Sequence, residues 1–301
     1  MPGRPHLFAI LLHGGFWTAG LVVACWGWCA TAQSPRIARD FVWRVTGTPA
    51  TVYLAGSLHE LRARDRPSLS LYQAYALADR VVFEADLAEF ETPAFQERVH
   101  RLSTQPPGRG LTNQLDAATY ERLSRIARRN DLPDDLFNRF QPWFAGTYAA
   151  LLLLSEAGFQ EDHGIDRTFY DRTVREGKRL EFLESGAEQL ELLAGIPASE
   201  AIESLRQDLE AGVDDARALV EAWSQGDAET LDRLSRESSD RAPQSFQRFV
   251  VDRNLAWLPR LKTWLKDTNT TLVIVGAGHL VGTNGVVRLL ERDGYSVTQL
   301  P

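Results

Sequence analysis

The chain has 301 residues, 44% hydrophobic and 24% charged, with a formal net charge of −7. That length suffices for one large α/β domain or two small ones with a substantial core. The acidic balance excludes a broad basic surface for nucleic acid, so local clusters such as Arg122 to Arg129 read as a solvated helix face.

The first 32 residues stand apart from the rest. Arg4 precedes an apolar stretch from Leu7 to Ala30 that contains no Asp, Glu, Lys or Arg, and Ala30-Thr31-Ala32 offers an A-x-A cleavage site before Gln33. This is the grammar of a secretory signal peptide, although His13-Gly14-Gly15 interrupts its apolar run. It predicts an exported protein, periplasmic or secreted, with residues 33–301 as a single mature domain. A competing lipoprotein-type site, Val22-Val23-Ala24-Cys25, would instead anchor the protein to a membrane through a lipidated Cys25. Both cysteines, Cys25 and Cys29, fall in the leader, so cleavage after Ala32 shifts the charge from −7 to −8 and removes every thiol. No disulfide, Cys–metal ligand or thiol nucleophile then remains.

Phe41 to Thr46 and Thr51 to Ala55 read as two strands joined by a Gly47-Thr48-Pro49 turn, the second strand delivering Gly56 and His59. Leu69 to Ala78 reads as a short helix. Val81 to Leu87 reads as a strand whose alternation puts Glu84 and Asp86 on one face, which suggests a polar cavity. From about Thr92 the pattern turns helical, and a mostly helical insertion is expected over about residues 92–265. Within it, His163-Gly164-Ile165-Asp166 opens a helix that Gly177 ends, and a strand from Arg179 to Leu183 comes next with Glu184 at its end. Ser185-Gly186-Ala187-Glu188 is a capping box. Ile202, Leu205, Leu209, Val213, Ala216, Val220 and Trp223 recur at helical steps and predict one amphipathic helix over 199–225. A further helix from Gln244 carries the stripe Phe246, Val250, Trp257, Leu261, Trp264, with Asn254 on that stripe, Arg253 beside it, and Pro259 expected to kink or end it. Buried polar groups need partners, so Arg253 and Asn254 either pair within the core or face a site.

The chain closes on its most informative stretch. Leu272 to Val275 is a β-branched apolar strand running into Gly276, Gly278, His279 and Gly282, then a helix from Gly285 to Arg292, a stop at Gly294, and a last strand from Tyr295 to Gln299. The order strand, then G-x-x-H, therefore occurs near both ends of the chain. The fold expected is α/β, a central sheet with strand-G-x-x-H turns at both ends of the chain and a large helical insertion.

Ligands of open α/β sheets bind beyond the carboxyl ends of the strands, where His59, Glu84, Glu184 and His279 are all expected. Two imidazoles with one or two carboxylates form an ordinary ligand set for a divalent ion such as zinc, manganese or cobalt. A metal-bound water would be a nucleophile at neutral pH, a spare carboxylate could move protons, and Arg253 could stabilise a developing oxyanion. Two rivals fit less well. Gly276 to Gly282 approximates G-x-G-x-x-G, but its last glycine is one position late, and no acidic residue lies some twenty positions on. A G-x-S-x-G elbow for a serine hydrolase is not present.

The ordered set GSLH at Gly56 to His59, AD-VVFEAD over Ala78 to Asp86, GID at Gly164 to Asp166, FLES-EQL around Glu184, RN--W at Arg253 to Trp257, and VGAGHLVG near the end resembles the TraB/GumN family, which is related to the Tiki metalloproteases. The resemblance implies an α/β fold with a helical insertion and a metal-dependent hydrolase site built from the two G-x-x-H motifs and a glutamate. Carried onto this chain, it gives His59, Glu84 and His279 as metal ligands, with Glu184, Arg253 and Asn254 as neighbours. Glu60 departs from the pattern, since relatives usually carry an apolar residue after the histidine. The expectation is a hydrolase of peptide or related amide bonds, holding manganese, cobalt or zinc, with Glu84, Glu184, Arg253 and Asn254 in catalysis. The alternative is a non-catalytic protein that binds or sequesters a peptide or small molecule in the same cleft.

Overall fold

The computed structural model describes residues 39–47 and 49–301, excluding the side chain of Ser238. The expected signal peptide, its A-x-A site, Cys25 and Thr48 of the first turn lie outside the described residues. Among the described residues, no helix is long and apolar enough to cross a membrane.

In chain order the strands are β1 (Val42–Thr46), β2 (Thr51–Ser57), β3 (Leu61–Arg62), β4 (Arg80–Phe83), β5 (Phe159–Gln160), β6 (Arg179–Phe182), β7 (Thr271–Gly276) and β8 (Ser296–Gln299). Six of them form one sheet in the order β6-β4-β7-β2-β1-β8, while β3 and β5 pair separately. β6, β4, β7 and β2 run parallel, and β1 is antiparallel to both β2 and β8. The sheet is mixed, and the rest of the protein is predominantly helical.

The central position of β7 is explained by its residues. Every residue from Thr271 to Gly276 is buried, as expected of a β-branched run covered by helices on both faces. β1, second from the edge, alternates instead, hiding Trp43 and Val45 while exposing Arg44 and Thr46. One contiguous apolar core runs from Phe41 to Leu290. Within the helical insertion, Phe137, Phe140, Trp143, Phe144 and Tyr148 stack edge to face and supply its own packed centre.

Register then sets up the site. β2 and β7 align so that Gly56 lies opposite Val275 and Ser57 opposite Gly276. The two G-x-x-H turns therefore leave the sheet side by side. Gly56 is required there, because a Cβ would come within 2.3 Å of the Phe41 ring and 3.0 Å of the Ala277 Cα. The Trp223 indole N–H donates to the Gly56 carbonyl at 2.7 Å and fixes the helical insertion to the end of β2.

Three local expectations are corrected. The strand expected over Val81 to Leu87 stops at Phe83, and Asp86 is the N-cap of a helix spanning Leu87–Phe90, accepting from the Ala88 N–H at 3.0 Å. Asp86 also accepts from the Tyr170 hydroxyl, so it shares no face with Glu84. An aspartate ahead of helix-forming residues is a strong capping signal, and it overrode the β-propensity of the preceding valines. The single helix expected over 199–225 is two, Ala198–Ala211 and Asp214–Ser224, broken where Gly212 adopts φ +61°. Pro259 does not end its helix, which continues from Arg253 to Trp264 because Trp257, Leu258, Leu261 and Trp264 are all buried against the core. A π-helical turn, Gln247–Asp252, precedes that helix. The capping box at Ser185 and Glu188 forms with both of its reciprocal bonds.

Candidate active site

The segments leaving β4 and β6 travel together. The Glu184 N–H donates to the Glu84 carbonyl at 2.9 Å, so the two glutamates emerge side by side. Glu84 Oε1 accepts from the Gly276 N–H at 2.7 Å, which ties the end of β4 to the second G-x-x-H turn. Gln189, on the helix opened by the capping box, donates to Glu84 Oε2 at 3.1 Å and to Glu184 Oε1 at 2.8 Å.

Between these acids lies Arg253, delivered by the first turn of its helix. Its Nε donates to the two oxygens of Glu184 at 3.0 and 3.1 Å. Nη2 donates to Glu84 Oε2 at 2.5 Å and to Glu184 Oε1. Nη1 donates to the Phe249 carbonyl at 3.1 Å and lies 3.0 Å from His279 Nε2. A guanidinium has five N–H donors, and each of these has an acceptor. Burial would raise the Glu84 carboxyl, but the adjoining guanidinium and the Gly276 N–H hold it well below the usual carboxylate range.

His279 is 3% exposed and fixed by Asn254, which is wholly buried. The Asn254 amide nitrogen donates to the carbonyls of His279, at 3.2 Å, and Asn284, at 2.8 Å. Its oxygen is thereby turned to His279 Nδ1 at 2.7 Å and can only accept. Nδ1 carries the proton, and Nε2 presents a lone pair to Arg253. Burial first, and the neighbouring guanidinium second, lower the His279 imidazole to about 3, so the ring is neutral at physiological pH. Trp257 stacks on it, with ring centroids 4.6 Å apart.

His59 is held by other residues. Its Nδ1 is 2.8 Å from Asp166 Oδ2, an ion pair in which the carboxylate is 8% exposed. The Gly164-Ile165-Asp166 segment packs directly on the turn that carries His59. The Ile165 N–H donates to the Leu58 carbonyl at 3.0 Å, and a Cβ on Gly164 would stand 1.9 Å from the His59 carbonyl oxygen. Burial opposes charging His59, but Asp166, with smaller contributions from Glu60 and Glu84, outweighs it and raises the imidazole to about 10. Glu60, which departs from the family pattern, is pushed up to about 7 by burial and by the nearby carboxylates of Glu161 and Asp166, against the pull of His59. The charge of His59 also acts on Glu84 and His279.

Glu84, Glu184, Arg253, Asn254 and His279 thus form one connected network, with His59 beside it in a separate pair with Asp166. Glu184, Arg253 and Trp257 line one end of a cleft of about 850 Å³ whose walls include Leu183, Leu192 and Arg248. Asn254 meets His279 and two backbone carbonyls instead of the cleft. Sequence reasoning missed Asp166, which was visible only as part of a helix-opening Gly-Ile-Asp, and Gln189, which carries no signal beyond its place after the capping box.

Fit to a divalent ion can be judged from the donors. His279 Nε2 and Glu84 Oε2 face the same space, as metal ligands would, but Arg253 engages both. Among the described residues, no three of His, Cys, Asp and Glu are grouped so as to hold a metal ion. As placed, the side chains fit a guanidinium and do not fit a metal.

A family model described as the TraB/PrgY/gumN family matches residues 41–299. Neither the curated proteins nor the solved structures yielded a match.

Proposed function

The chain belongs to the TraB/PrgY/gumN family, and on that premise we propose that it is a hydrolase of peptide or related amide bonds. The observation that supports the reading most is that Glu184 and Arg253, an ion pair inside the protein, also line an open cleft. A carbonyl held there lies in the positive field of a preorganised guanidinium, which favours charge developing on its oxygen. The Glu184 carboxylate is the group placed to take a proton from an attacking water as the water oxygen bonds to the carbonyl carbon. The C–N bond then breaks, and the leaving nitrogen takes its proton from the His59 imidazolium. His279, kept neutral, and Asn254 hold the Arg253 side of the site in register. Manganese, cobalt or zinc would supply Lewis-acid activation if bound. No proton transfer in this scheme depends on it, because the donors as placed are taken by Arg253. The leader-like residues 1–32 support a site of action outside the cytoplasm, periplasmic or secreted.

The test is incubation of the purified protein with a peptide library, read by mass spectrometry. Cleavage by the wild type and its loss in Glu184→Gln and His59→Asn are expected. Equal cleavage by all three would overturn the assignment of these residues.

A second reading, a non-catalytic protein that binds or sequesters a ligand in the same cleft, is favoured by one observation. Arg253, Glu84, Glu184 and His279 satisfy one another, as a rigid binding surface would require. Retention of intact peptides without cleavage would select it.

A further inference from the structure

We propose that Arg253 and a divalent metal ion are mutually exclusive occupants of this site, the guanidinium being a built-in cation that must swing out before a metal can enter. The proposal deepens the reading of this site given above, but it concerns occupancy rather than turnover.

Three observations carry it. First, Arg253 takes the atoms a metal would need. Its Nη2 is 2.5 Å from Glu84 Oε2, its Nη1 is 3.0 Å from His279 Nε2, and its Nε and Nη2 engage Glu184. Second, those atoms remain aimed at the same point when Arg253 is subtracted. His279 is held through Nδ1 by Asn254, and Glu84 is held through Oε1 by the Gly276 N–H. Neither anchor involves Arg253. What is left is one imidazole nitrogen, Glu84 Oε2 and the Glu184 carboxylate, a nitrogen–oxygen donor set suited to zinc, manganese or cobalt. Outer partners of this kind orient imidazole and carboxylate ligands in metal sites generally. Third, the guanidinium has somewhere to go. Arg253 lines the cleft of about 850 Å³, and its Cζ lies 4.8 Å over the Trp257 ring. Rotation of the side chain into the cleft needs no movement of the helix.

Electrostatics explains why some cation is always required. Side chains of Glu84 and Glu184 are 11% and 10% exposed, and both accept from the one Gln189 amide. Two carboxylates at such close quarters cannot both stay ionised without a positive charge between them. Arg253 supplies that charge now, and a divalent ion would supply it in its place.

The experiment titrates manganese, cobalt and zinc chlorides onto the wild type and Arg253→Met, reading affinity by calorimetry and folding by thermal melts. Arg253→Met, uncharged and of similar length, is expected to bind one ion at least tenfold more tightly than the wild type. Its Tm is expected to be low in metal-free buffer and to rise on adding the ion, while that of the wild type stays fixed at the same concentration. Equal affinity for the two proteins, or a folded Arg253→Met that binds no ion, would overturn the proposal. If Arg253→Met folds only with metal present, the proposal stands. If metal does not rescue it and Arg253→Lys binds no more tightly than the wild type, the proposal fails. None of these readouts depends on peptide cleavage, so a protein that cuts nothing can still pass, and one that cuts can still fail.

Discussion

Asp166 Oδ2 lies 2.8 Å from His59 Nδ1, whereas the corresponding nitrogen of His279 meets the neutral amide of Asn254 at 2.7 Å. The two histidines are anchored at the same ring atom by partners of different charge, and their protonation diverges accordingly. Asp166→Asn should therefore bring His59 down from about 10 to its ordinary 6.5 or lower, since burial then acts without a counter-charge. Histidine ring resonances tracked against pH by NMR give the answer, and an unmoved His59 would show that the pair does not govern its charge.

Stability should fall on both sides of neutrality, for a different histidine on each side. Raised to about 10 in the fold, His59 adds stability that is full below its unfolded value of 6.5 and is lost as pH climbs through 10. His279 is depressed to about 3 in the fold, so the unfolded chain binds the extra proton below 6.5, and stability drops as pH descends from 6.5 toward 3. Urea midpoints measured from pH 4 to 10 should peak between the two flanks. Asp166→Asn should flatten the alkaline flank and leave the acid one.

Asn254 serves three buried groups at once, the His279 ring and the carbonyls of His279 and Asn284. Asn254→Ala should cost roughly 1–3 kcal/mol for each buried group it orphans. The loss is measurable by urea denaturation, and a cost below about 1 kcal/mol would mean that water replaces the amide.

Gly164→Ala should destabilise the fold by at least about 1–3 kcal/mol, because the added methyl meets a backbone oxygen that cannot move without moving His59. A matched control is Gly158→Ala, where nothing lies within 4 Å of the new Cβ. There, only the positive φ of 84° opposes the change. The cost at Gly164 should come with a shift of the His59 resonances, and that at Gly158 should not.

Periodicity and turn chemistry were legible from the chain. The strands leading to His59, Glu84, Glu184 and His279 were each recognisable from an apolar run and its stop signal, and Arg253 and Asn254 announced themselves as polar residues on an apolar stripe. Asp166 was not readable as the partner of His59, because a Gly-Ile-Asp at a helix start has a sufficient local explanation and the pairing spans more than a hundred residues. Asp86 misled for the opposite reason. Its alternation with Glu84 was genuine, but capping is decided by the residues on the C-terminal side, and the backbone turned one residue after the strand's last apolar position. The helix over 199–225 kept its apolar spacing across Gly212, so periodicity alone could not reveal the break there.

The π-helical turn at Gln247–Asp252 has a consequence for how the protein tolerates change. A π turn accommodates about one residue more than the α-helical turn it replaces, and one residue of α-helix is about 100° of rotation. Phase, and not only composition, is thus written into this segment. Removing any one of its six residues would leave every functional side chain in the sequence yet relax the turn to regular α-helix and rotate the helix on one side of it relative to the other. Arg253 and Asn254 begin immediately after it, so in this protein the count of residues before the arginine matters as much as the arginine itself.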